Sequence, residues 1–292
     1  MTQLVIIALA LFGGCVLQSA VGFGMGMFAI PIMYFAGVEL SDGVCLAVGI
    51  QTVQLSYSIW THPGEVTWRE TLPLLYIRLF FIPIGAVMLF FLQNYEPGLI
   101  KQVIGYVLLA ALLVQFTFRP KPRESLGGGW TFLAGSTSGI MGGLVGMAGP
   151  PIVLWVHAHD WGAKKSRVFL WVNFLQNAPI IMAAYLLSFG VGAMWSFGLG
   201  VAMFAVGLPA TKVGHWLGGK LSKRKLKFWA FGLLIVIALT SIGGPWAAEQ
   251  MGMDIDMSDN DEVQVEDQVP TKDGEGNVGA SGDEVEGVNE GR

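Results

Sequence analysis

Gly22-Phe23-Gly24-Met25-Gly26-Met27-Phe28-Ala29-Ile30-Pro31-Ile32 lies within an apolar run, residues 4–38, that holds no charged residue. The motif returns as Gly142-Gly143-Leu144-Val145-Gly146-Met147-Ala148-Gly149-Pro150-Pro151-Ile152. At an offset of 120, Gly22/Gly142, Gly26/Gly146, Met27/Met147, Pro31/Pro151 and Ile32/Ile152 are identical. The first run is too long for one upright span of about 20 residues and too short for two. Glycines break it in the middle. A broken apolar segment at matching places in two halves points to a secondary transporter's binding site. A single-helix anchor has no use for it.

Further landmarks repeat. Apolar stretches run over 43–60, 71–93 and 102–118, then 130–158 with its own break at 142–149, 168–188, 193–216 and 228–248. Gln51 and Gln54 match Asn173 and Gln176 at an offset of 122; Pro83 matches Pro209, and Lys101 matches Lys227, at 126. The expected class is an all-α polytopic membrane protein of two homologous halves. Each half carries a Gly-rich broken helix or hairpin plus three spans. The expected boundaries are 1–118 for the first membrane repeat, 119–129 for a cytoplasmic linker, 130–248 for the second repeat and 249–292 for a tail.

Composition agrees. The chain is 53% hydrophobic and 13% charged, with a mean hydropathy of +0.58. Residues 1–248 hold 15 Lys/Arg and 7 Asp/Glu, whereas 249–292 hold 2 and 14. The pI of about 5.6 therefore describes an acidic tail on a basic membrane domain. A tail so poor in aromatics is expected to stay solvated and disordered; no ligand spacing supports calcium binding or partner docking there. The start Met1-Thr2-Gln3 has no positive n-region, so a cleaved signal peptide is not expected. Cys15 and Cys45 read as ordinary buried thiols.

Positive charges decide the topology. If each broken segment crosses once, loop Lys/Arg divide 9 to 4 between the two sides. If each enters and returns as a hairpin of two short helices, they divide 12 to 1, with only Lys101 on the minority side. The hairpin is the cleaner solution. A hairpin and three spans make an odd repeat, so the second copy inserts upside down and the repeat is inverted. Both schemes put the termini outside, in the periplasm of an inner (plasma) membrane protein.

Non-helical backbone within the hydrocarbon survives only inside protein or against a wet cavity, so the two breaks should meet. A short helix starting there aims free N–H groups and its positive dipole end at the cavity. Small residues let an anion approach the backbone. Gly22, Gly24, Met25, Gly26, Gly142, Gly143, Val145 and Gly146 are the expected backbone contacts, and small-residue helix packing is the competing explanation. Gln51 and Gln54, and Asn173 and Gln176, sit at i, i+3 with Asn177 adjacent; their amides can donate to anionic oxygens or bond other helices. Gln18, Ser19, Ser136, Thr137 and Ser138 rank lower, because hydroxyls often bond their own helix. Arg78 is the one charge well inside a span; it can snorkel to the cytoplasmic surface or touch the anion. No Asp or Glu lies inside a span, so a carboxylate proton relay is missing, and no nucleotide P-loop is present. No enzyme activity, metal or other cofactor, and no nucleic-acid partner, is expected. The expected partners are a small anion and the lipid bilayer, with a homo-oligomer left open.

Gly22–Pro31, Gly142–Pro151, the two-half layout and Gly207-Leu208-Pro209 followed by Gly214 resemble the TauE/SafE family of sulfite and organosulfonate exporters, over residues 1 to about 248. The resemblance implies transport of sulfite, organosulfonates or related carboxylates. The acidic tail departs from the family layout. An anion channel and a non-transporting assembly or sensor protein are the alternatives.

Overall fold

In the computed structural model, Gln3 and Ala36 meet although 33 residues separate them, the Gln3 amide donating to the Ala36 carbonyl at 3.2 Å. Helix α1 (Thr2–Val21) ends at the first glycine cluster, and α2 (Met25–Phe35) runs back along it. Cys15 lies 3.8 Å, sulfur to sulfur, from Met25. The reversal needs glycine, because Gly22 and Gly24 adopt φ of 103° and 107°. The second break folds in the same way. Helix α6 (Gly128–Val145) is stopped by Gly146 at φ 68°, and α7 (Gly149–His157) returns until Trp155 donates its indole N–H to Thr131 at 3.1 Å. The arms are unequal, at 20 and 11 residues in the first hairpin and 18 and 9 in the second. The reading of two short helices therefore holds only for each returning arm.

The structure describes residues 2–63, 68–95, 97–117 and 126–220, with 232, 235, 236 and 239. Between the hairpins lie α3 (Leu40–Trp60), α4 (Trp68–Leu92) and α5 (Pro97–Thr117); after the second come α8 (Ala163–Phe189), α9 (Val191–Ala202) and α10 (Phe204–Lys220). All ten are α-helices. The span read over 193–216 is two helices meeting at a 55° bend around Met203. Helix α6 starts inside the linker read as 119–129. Most of that linker, most of the span read over 228–248, and the tail 249–292 lie outside the described residues.

Among the described residues three helices are long and apolar enough to cross a membrane: Gln3–Val21, Trp68–Leu92 and Ala163–Phe189, or four with α9–α10 taken as one bent span. The sequence suggested more. Helix α3 has the length but carries Ser41, Asp42, Gln51, Thr52, Gln54, Ser56 and Ser58. Most of its surface is covered by protein, so much of its polarity never meets lipid.

Small residues set the packing distance, as expected where lipid supplies no hydrophobic drive between helices. A Cβ on Gly49 of α3 would lie 3.0 Å from the Gly200 Cα of α9. One on Gly143 of α6 would lie 3.0 Å from the Gly85 Cα of α4. The first arm of each hairpin rests on a helix of the other half: α1 on α10, and α6 on α4.

Candidate functional site

The starts of α2 and α7 face one another at the centre. A Cβ placed on Gly26 would overlap the Gly146 carbonyl oxygen, so only glycine allows this approach of backbones. Around the contact lies a cavity of about 40 Å³. The first break contributes Gly24 to Met27, the second Gly146 to Gly149. Helix α1 contributes Gln18; α3 contributes Val48 and Gln51; α8 contributes Phe174, Asn177, Ala178 and Ile181. A water needs some 10–15 Å³ measured this way, so the space suits a few waters or one compact oxyanion head.

Backbone donors are unequal at the two helix starts. In α2 the first N–H that closes a helical bond is that of Phe28, to Gly24 at 3.0 Å, so Met25, Gly26 and Met27 form the turn whose N–H groups have no helical acceptor. In α7 the second and third positions are Pro150 and Pro151, which have no N–H. The N–H groups of Gly146 and Met147 are already bonded to Gly142 and Met141. Free N–H groups are thus gathered at the start of α2. Helix α7 brings its dipole and the Gly149 N–H.

Side-chain donors come from amides whose oxygens are held. Gln51 Nε2 donates to Gln18 Oε1 at 2.8 Å, and Gln18 Nε2 is buried with no partner. Arg78 donates to Asn177 Oδ1 at 3.0 Å, leaving the Asn177 amide N–H2 for the cavity that it lines. A buried amide donor without an acceptor is costly by about 1–3 kcal/mol unless something occupies the space beside it.

Of the residues singled out in the sequence, Gly24, Met25, Gly26, Gln51 and Gly146 line this cavity. Gln54 does not; its Nε2 donates to the Cys15 carbonyl at 2.9 Å and to Ser19 Oγ at 2.7 Å, tying α3 to α1. Asn173 stands behind the cavity, its Oδ1 and carbonyl both receiving Arg78, with its Nδ2 unpartnered. Gln176 also lies off the lining, its Oε1 buried without a partner. Gly22 sits against Arg167, a Cβ there falling 2.9 Å from Arg167 Cγ. Gly142 abuts Ala148, Gly143 packs on α4 and accepts the Tyr185 hydroxyl at 2.9 Å, and Val145 is core. Arg78 does not snorkel: it is 0% exposed, and donates to Ser138 Oγ at 2.8 Å as well as to the two asparagines.

From the sequence alone Gln18 ranks low, and Asn177 and Phe174 fall outside the expected site. The missing signal was the register. At an offset of 126, already marked by Pro83/Pro209 and Lys101/Lys227, Val48 pairs with Phe174 and Gln51 with Asn177. All four line the cavity. The offset of 122 is displaced from this by four residues, one helical turn, and lands on Asn173 and Gln176 instead.

A family model described as sulfite exporter TauE/SafE matches residues 6–241. Among curated proteins, a probable sulfite/organosulfonate exporter TauE of Cupriavidus necator is 24% identical over 240 residues, covering 78% of this chain and 90% of that protein. No solved structure matches the chain.

Proposed function

This chain belongs to the sulfite exporter TauE/SafE family, a family of membrane transporters rather than enzymes, and from that premise we propose that it exports a small anion with a sulfur-oxyanion or carboxylate head through the cavity between Gly26 and Gly146. The observation that carries the reading is the buried, unpartnered amide of Gln18 in a space that two helix starts face. The N–H groups of Met25, Gly26 and Met27, the positive end of α2, and the amides of Gln18, Gln51 and Asn177 together make an anion cradle without a formal charge on its surface. Sulfite or an organosulfonate, the cargo in the name of the Cupriavidus relative, has the oxygens to satisfy these donors.

The halves form an inverted repeat in this proposal, with both hairpins re-entrant, both termini periplasmic and the protein in the inner membrane. Its support is reciprocal packing: α1 against α10, and α6 against α4. Alternating access then rocks one half against the other around the fixed cavity.

Transport of labelled sulfite into inverted vesicles, saturable and stimulated by sulfite on the far side, is the expected result. Flux without saturation or trans-stimulation makes the protein a channel. No flux of sulfite, methanesulfonate or sulfoacetate removes the transport reading.

A further inference from the structure

Helix α4 begins at Trp68, so Arg78 stands about 15 Å along it, near the middle of a hydrocarbon core of about 30 Å. All of its partners are neutral: the side-chain oxygens of Asn173 and Asn177, the Asn173 carbonyl at 3.4 Å, and Ser138 Oγ. Ser138 gives its own hydroxyl hydrogen to the Ala148 carbonyl at 2.6 Å and so meets Arg78 as an acceptor. Arg78 makes no ion pair among the described residues. Helix α6 carries no ionisable residue, and α8 none between Arg167 and Tyr185. None of the fifteen cavity-lining residues is ionisable.

Neutral dipoles solvate a guanidinium but do not cancel it, and arginine does not give up its proton. One positive charge is therefore fixed at the centre, separated from the cavity by the Asn177 amide. We infer that the site is matched to anions carrying a single negative charge, the sulfonate and hydrogen-sulfite class, with Arg78 acting through Asn177 as the charge-compensating positioning residue. The inference rests on reading the cavity as the anion site.

Charge arithmetic separates the two cargo classes. Desolvation cost grows with the square of the charge, while attraction to Arg78 grows in proportion to it. A dianion thus pays roughly four times the desolvation for about twice the attraction. It also leaves a surplus negative charge among Met25, Met27, Phe174 and Ile181. A monoanion brings the centre to neutrality.

The test compares sulfite, methanesulfonate and sulfate as competitors of labelled transport by the full-length protein in proteoliposomes, from mildly acidic to mildly alkaline pH. Methanesulfonate keeps one charge throughout; sulfite loses its last proton near neutrality; sulfate keeps two. The expected result is constant affinity for methanesulfonate, sulfite affinity falling about tenfold per pH unit once its last proton is lost, and sulfate about a hundredfold weaker. Arg78→Lys keeps this order. Arg78→Gln weakens methanesulfonate about a hundredfold and flattens the sulfite pH profile. Where Arg78→Gln does not fold, the wild-type profile and the sulfate comparison decide. Sulfite binding that tightens with rising pH, or sulfate competing as well as methanesulfonate, overturns the inference while the transport reading stands. No competition by any of the three in a folded, transporting protein removes the anion site itself.

Discussion

Lys165 Nζ lies 2.8 Å from Glu70 Oε1, joining the first turn of α8 to the first turn of α4 across 95 residues of chain. This ion pair supports the proposed hairpin topology over the one in which each broken segment crosses once. With broken segments that cross once, the starts of α4 and α8 fall on opposite sides of the bilayer. With segments that enter and return, they share a side. Cysteines placed at Arg69 and Lys165 should both be protected from an impermeant maleimide in intact cells and should both react with it in inverted vesicles, as expected of one shared cytoplasmic side. Labelling from opposite sides would contradict the hairpins. A phosphatase fused after Gln250 should be active in the periplasm; an inactive fusion paired with a fluorescent cytosolic one would place that end inside.

Gly26→Ala should damage the fold before it damages transport. The new methyl group meets the Gly146 backbone, which cannot rotate aside as a flexible side chain could. Overpacking of this kind costs about 1–3 kcal/mol. Gly146→Ala adds strain at a positive φ of 68°. Gly192→Ala, where a Cβ meets nothing within 4 Å, is the control and should be near neutral. Thermal unfolding in detergent is the measurement. Full stability of both central variants would show that the backbones are not in contact.

Removing cavity amides should act on binding instead. A hydrogen bond to a charged group is worth about 1.5–3 kcal/mol, so Gln18→Leu or Asn177→Leu should weaken substrate binding about ten- to a hundredfold. Gln54→Leu cuts a tie between α3 and α1 and should lower the melting temperature with less effect on affinity. Counter-flow and melting curves on the same preparations separate the two outcomes. Equal affinity loss in all three variants would indicate a general loosening and no local site.

Export of an anion with no coupled ion carries net charge, and an inside-negative potential contributes about 2.3 kcal/mol per charge per 100 mV. Efflux from proteoliposomes clamped with potassium and valinomycin should speed up as the interior is made negative and slow when the sign is reversed. Flux indifferent to potential would require a compensating ion.

The duplication, the two reversals and most helix bounds could be read from the sequence, because glycine clusters in an apolar run have few physical uses. Two features resisted. The bend at Met203 has no glycine or proline at its apex, and the hydrophobic run passes through it unmarked. The partners of Arg78 were hidden because a long side chain can snorkel or turn inward with equal ease in a sequence. Only the placement of Ser138, Asn173 and Asn177 from two other helices decides between them. The amides illustrate the same limit: Gln51 and Gln54 are three residues apart on one helix, yet one lines the cavity and the other ties helices together.

The most direct test of the account is efflux of labelled sulfite from proteoliposomes holding the purified wild-type chain or its Asn177→Leu variant, with equal insertion verified. Saturable efflux is expected from the wild type, with a half-saturating concentration raised about ten- to a hundredfold in the variant. Saturable efflux with the same half-saturation in both would place the anion elsewhere and contradict it.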